Sequence, residues 1–129
     1  MYLCFNKKDT MNNQARQTVL HWVDAINAKD LEKLIGCYHA EAVHVSPKLK
    51  MLRPETEGKV IGHEGLRSWY ADAMQRLPEL RYEVLRTTVE GPFVFLEYIR
   101  HNPGDAPMQV GEFFEVIDGE IRSSRVYHS

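Results

Sequence analysis

Met108-Gln109-Val110-Gly111-Glu112-Phe113-Phe114-Glu115-Val116-Ile117, then Asp118-Gly119, then Glu120-Ile121-Arg122-Ser123-Ser124-Arg125-Val126-Tyr127-His128: the reading of this stretch decides the fold. Two β-rich runs separated by Asp-Gly are a strong signal for a tight antiparallel hairpin. Period-two alternation in the first run sets Val110, Glu112, Phe114 and Val116 on one face. An acid among apolar neighbours must be paired, protonated or turned toward a cavity. Glu112 is therefore either a site of chemistry or ligand recognition, or a satisfied acid of the core or of a strand end.

Two more strand-like runs precede this hairpin, Leu80 to Val89 and Phe93 to His101. Gly91-Pro92 and Asn102-Pro103-Gly104-Asp105 are the turns between them. The chain thus ends in a four-stranded meander. Its first half reads as helical. Val19, Trp22, Val23 and Ile26 recur at helical spacing within a helix from about Asn13 to Ala28. Asp30 is placed to cap a short second helix, Leu31 to Cys37. Ala42 to Ser46 reads as a strand stopped by Pro47. A third helix, about Glu64 to Leu77, ends before Pro78 and buries Leu66, Trp69, Tyr70, Ala73, Met74 and Leu77. Residues 48–62 lack periodicity and read as a solvated loop, with a lid or binding loop as the alternative. The order of elements predicts an α+β fold, a curved antiparallel sheet with three helices on one face.

At 129 residues the chain makes one domain with one core. Residues 1–12 are expected to be a flexible leader, with Met11 as an alternative start, and 13–129 the domain. Apolar content of 43% and charged content of 26% are ordinary for a soluble protein. A net charge of −2 gives no basic footprint, which argues against a nucleic-acid partner. No apolar run is long enough to span a bilayer, and the start lacks a secretory signal. Cys4 and Cys37 have neither disulfide-framework nor metal spacing. A cytoplasmic location is the expectation.

Several segments taken together resemble the SnoaL-like and ketosteroid-isomerase-like branch of the NTF2-like superfamily. They are Val23-Asp24-Ala25-Ile26-Asn27-Ala28-Lys29-Asp30-Leu31, Tyr38-His39-Ala40-Glu41-Ala42-Val43 before Pro47, Gly62-His63-Glu64-Gly65-Leu66-Arg67-Ser68-Trp69-Tyr70, and Phe114 to Ile121 with Arg125-Val126-Tyr127. The resemblance runs from about Gln14 to the end of the chain. It implies a sheet curled into a cone, closed on one side by helices, with ligands entering the cone. It implies that Trp22 stands where ketosteroid isomerases carry an oxyanion-binding tyrosine, and Ser46 where they carry the aspartate base. Trp69 and Tyr70 would match an aromatic pair on the third helix. Glu112 would match a protonated aspartate that donates a hydrogen bond, and His128 an aromatic position of the last strand. An indole is no phenolic acid and a serine no carboxylate base, so steroid isomerisation is not expected. The aspartate–arginine–aspartate set of limonene-epoxide-hydrolase relatives is not recognisable either.

His44, Glu112 and His128 are the candidate catalytic residues, suited to proton abstraction and return on an enolisable or polyketide-like substrate. Alternation with Val43 and Val45 would turn His44 outward, whereas the resemblance turns it inward. His128 sits near the terminus, where fraying is the plain alternative. A two-histidine, one-carboxylate metal site is the lesser alternative, and neither metal nor cofactor is expected. Trp22, Ser46, Trp69, Tyr70, Met74, Tyr98 and Phe114 are the expected ligand-binding residues, with Phe95 in the same apolar wall. Tyr98 and Arg100 lie on a run whose phase is ambiguous. The expected function is binding of a small hydrophobic ligand, with isomerase, cyclase or hydratase chemistry; the alternative is a non-catalytic binding or dimerisation module. Phe113, Ile117 and Tyr127, on the opposite phase to Glu112, predict a homodimer through the outer face of the meander.

Overall fold

A computed structural model of the chain describes residues 7–128. The elements are α1 (Lys7–Ala28), α2 (Leu31–Gly36), β1 (Tyr38–Val45), α3 (Pro47–Leu52), a 3-10 turn (Pro54–Thr56), β2 (Lys59–Ile61), α4 (Gly62–Arg76), β3 (Arg81–Glu90), β4 (Phe93–His101), β5 (Met108–Ile117) and β6 (Glu120–Tyr127). The expected leader divides: residues 1–6 lie outside the described part, and from Lys7 the chain is already helical.

One six-stranded, curved and unclosed sheet has the order β2-β1-β6-β5-β4-β3. Neighbours are antiparallel except β1 and β6, which run parallel. Parallel neighbours need a long connection, here supplied by everything between them. Register shifts in β1–β6, in β3–β4 at Val84/Arg86 and in β5–β6 at Glu115/Val116 bend the sheet, since an extra residue on one strand increases twist. The β5–β6 turn has Asp118 at φ 53° and Gly119 at φ 78°. Two consecutive positive φ values are what the Asp-Gly pair supplies for a tight hairpin.

The main departure from expectation lies in residues 48–62, which hold α3, the 3-10 turn and the edge strand β2 in place of a loop. Ser46 explains it. Its side chain accepts from the amides of Lys48 and Leu49, and Pro47 occupies the first turn of α3. The pair that ends β1 therefore starts a helix. Leu49 fixes that helix to the core.

Helices α1, α2 and α4 cover the concave face. Val19, Trp22, Val23 and Ile26 of α1 meet Leu96, Val110, Phe114 and Val116 of the sheet in one core. Leu66, Trp69 and Tyr70 add the buried face of α4. Asn27 fastens β3 to α1: its amide donates to the Tyr82 carbonyl at 2.9 Å and its oxygen accepts from the Tyr82 amide at 2.8 Å. Among the described residues, no helix is long and apolar enough to cross a membrane.

Candidate functional site

The curved sheet and the helices leave an open cleft, a cavity of about 90 Å³. Glu112 of β5 is on its wall, 1% exposed. The register explains the placement: Glu112 faces Leu96 of β4 on one side and Val126 of β6 on the other. Tyr98 donates its hydroxyl hydrogen to Glu112 Oε1 at 3.0 Å. Oε2 is buried and has no partner among the described residues. Burial pushes the acid from its ordinary 4.5 up to about 8, against the Tyr98 hydrogen bond, because desolvation penalises the charged form.

Around Glu112 stand four phenols, those of Tyr38, Tyr70 and Tyr98 buried and that of Tyr82 half-buried. Tyr82 and Tyr98 stack at 4.2 Å between centroids, and Trp22 lies 5.9 Å from the Tyr82 ring. Burial, with the neighbouring Glu112 carboxylate as the next cause, raises the Tyr82 hydroxyl to about 12. Tyr38, Tyr70 and Tyr98 are likewise held above the ordinary range, burial being the first cause. All four therefore act as neutral hydroxyls near pH 7. The Trp22 indole donates to the Tyr38 hydroxyl at 2.9 Å, and the Tyr38 and Tyr70 hydroxyls are 2.9 Å apart.

His44 points into the cleft, 3% exposed, with Nδ1 2.7 Å from Ser124 Oγ. The inward phase is the one the family resemblance implied, and the valine alternation misled. Val43 and Val45 are half-buried on the other face of β1, where β2 and β6 flank the strand. Burial lowers the His44 pKa to about 4, so the ring is neutral at pH 7.

Of the other expected residues, Trp22, Ser46, Trp69, Tyr70, Met74, Tyr98 and His128 all line the cleft. His128 is exposed at its rim. Two expectations fail. Phe114 is fully buried behind the wall, edge-on to Trp22 at 5.1 Å, and does not line the cleft. Phe95 belongs to the outer face of the sheet, its ring lying over Gly111. Tyr38, Tyr82 and Ser124 had no role in the sequence reading. Tyr38 was missed because β1 begins there and not at Ala42, and Tyr82 because most positions of β3 are exposed and hide the alternation. Lys29, Lys48, Arg76 and Arg100 also line the cleft. Among the described residues, no group of three or more His, Cys, Asp or Glu side chains converges in a way that would hold a metal ion.

The profile of the SnoaL-like domain matches residues 19–124. The chain belongs to the SnoaL-like family. Solved structures agree on the fold. A SnoaL-like protein of unknown function from Burkholderia thailandensis has a TM-score of 0.80 at 23% identity, over 91% of this chain and 95% of that one. A protein from Kribbella flavida proposed to be a ketosteroid isomerase has 0.74 at 18%, over 92% and 79%. One from Sinorhizobium meliloti proposed to be a polyketide cyclase has 0.72 at 19%, over 86% and 94%. No curated protein matches the sequence. At these identities the likeness shows a shared SnoaL-like fold and leaves activity to be argued from the site.

Proposed function

We propose that this SnoaL-like protein binds a small, largely apolar molecule in the cleft and moves protons on it. The reaction would be of the isomerase, cyclase or hydratase type, on an enolisable or polyketide-like substrate. One observation carries the reading: Glu112 is buried on the cleft wall, with Oε1 held by Tyr98 and Oε2 without a partner among the described residues. With a pKa of about 8, roughly one Glu112 in ten is ionised at pH 7. Such a group takes and returns protons well near neutrality, because the best proton carrier titrates near the working pH.

Magnitudes divide the roles. His44, at about 4, holds a proton far more weakly than Glu112, so Glu112 is the base and His44 a neutral hydrogen-bonding group. In the proposed step, Glu112 Oε2 takes a proton from the carbon next to a carbonyl. The C–H electron pair moves into the enolate, whose oxygen is met by a neutral hydroxyl such as that of Tyr70. The same carboxyl then returns the proton to carbon. His128 at the rim, with Ser46, Trp22, Trp69 and Met74, would orient the ligand.

A second reading, binding without turnover, is favoured by Ser46. Its oxygen is occupied in capping α3 and supplies no base where steroid isomerases carry one. Deuterium uptake from solvent at the activated carbon of an aromatic β-diketone, followed by NMR, tests the proposal. Exchange above the buffer rate is expected, falling at least about a hundredfold in Glu112→Gln. Binding of the diketone without exchange would establish the second reading. Absence of binding would overturn both.

A further inference from the structure

The chain as a whole carries a net charge of −2, but the walls of its cleft are cationic. Lys29, Lys48, Arg76 and Arg100 line it, and among the described residues Glu112 is the one acid on its lining. These cations come from four separate places: the end of α1, the first turn of α3, the last turn of α4 and the end of β4. The fold, and no local run of sequence, brings them to one opening.

The four are not equally neutralised. Lys29 donates to the carbonyls of Ile26 and Leu80. Arg76 is paired with Asp72 at 2.9 Å. Arg100 is 8% exposed, yet its paired carboxylate is Asp105, 3.5 Å away and half-exposed on the β4–β5 turn. Lys48 has no carboxylate within 4.0 Å among the described residues. Burial lowers its pKa, and the charges of Arg100 and Arg76 lower it further while Asp105 opposes them. Like charges lining one partly dry cleft are costly unless an anion joins them. Glu112 does not fill that need, since burial keeps it largely protonated at pH 7.

We propose that the cleft selects an organic anion: a planar apolar body against Tyr82, Tyr98 and Met108, with a carboxylate or acidic enolate held at the rim by Arg100 and Lys48. The inference rests on the ligand-binding reading above and names the class of ligand. An arginine fork matches a carboxylate in two hydrogen bonds, and a lysine adds a point charge without fixed geometry. The aromatic wall alone would take neutral and anionic molecules equally, so the rim sets the choice.

The matched pair 2-naphthoate and 2-naphthamide separates charge from shape. Titrated at pH 7 and low salt against the intrinsic tryptophan fluorescence, the acid is expected to bind at least about tenfold tighter than the amide. Lys48→Gln and Arg100→Gln should each weaken naphthoate binding and together abolish the preference, with naphthamide affinity unchanged as proof of an intact cleft. Should the double variant lose the amide as well, Lys48→Gln alone decides, since Lys48 is half-exposed whereas Arg100 is buried. Equal affinities in the wild type, or a preference that survives Lys48→Gln undiminished, would overturn the anion proposal while leaving ligand binding standing. Failure of both probes to bind at millimolar concentration would overturn the ligand-binding reading and this proposal with it.

Discussion

Glu112 keeps its proton because burial denies its charge water. Its ordinary pKa of 4.5 becomes about 8, which fixes the sign of its effect on stability. Below pH 4.5 the acid is neutral in both folded and unfolded chains. Between 4.5 and 8 the unfolded chain has released its proton and the folded one has not, so stability falls as pH rises. Above 8 the full cost is present, on the order of 5 kcal/mol. Glu112→Gln should match the parent below pH 4.5 and exceed it above pH 8. Urea midpoints across that range measure this, and no gain at pH 9 would refute burial as the cause. His44 works in the other direction. Lowered from 6.5 to about 4, it destabilises the fold as pH falls through that window. Glu112 was legible in the sequence because Val110, Phe114 and Val116 mark its face as buried. His44 was not legible from its neighbours, because β1 half-buries valines on its outer side too. Of the cations lining the cleft, Arg100 was legible only as a residue of ambiguous phase, and the convergence of all four was not, since each lies at the end of a different element.

Elements were read more reliably where two signals agreed. The four strands of the meander fall within a residue or two of expectation, because each is bounded by turn residues and patterned by alternation. The segment after Pro47 was misread because a proline stops a strand and also starts a helix, and the capping serine before it was weighed as a missing base and a ligand-binding residue, not as a cap. Capping supplies the test. Ser46 Oγ accepts from the Lys48 amide at 3.2 Å and the Leu49 amide at 3.5 Å. Ser46→Ala should cost about 1 kcal/mol and Ser46→Asp much less, because aspartate also caps. Thermal unfolding of the two variants measures the difference. A turnover assay with a Δ5-3-ketosteroid should show no isomerisation by the wild type, since the Ser46 oxygen is engaged in capping α3 and has no basic partner among the described residues. Turnover abolished by Ser46→Ala would reverse that assignment.

At the scale of the molecule, β5 presents two faces with different demands. One carries Glu112 to the cleft. The other carries Phe113, 38% exposed, stacked on Phe93 with 5.5 Å between centroids. Ile117 at 39% and Tyr127 at 53% extend this apolar face, and the Phe95 ring lies so close over Gly111 that an added Cβ would meet it at 2.5 Å. Its charges are of both signs: Arg86 and Glu97 pair at 2.6 Å, and Arg125 stands opposite Phe113 in the β5–β6 register. We propose that a second copy of the chain covers this face about a two-fold axis, which lets each patch meet its own image. The apolar centre would exclude water, and the mixed charges at its edge permit self-pairing where a single sign would repel. Sedimentation at micromolar concentration should give a species of twice 15.0 kDa. Phe113→Glu should give a monomer with unchanged far-UV dichroism, because an isologous contact buries two copies of the new charge at once. A wild type that stays monomeric throughout would refute the pairing. If dimerisation also braces β5, the Phe113→Glu monomer should exchange the Glu112 amide with solvent faster than the wild type, a readout that separates support of the site from mere association.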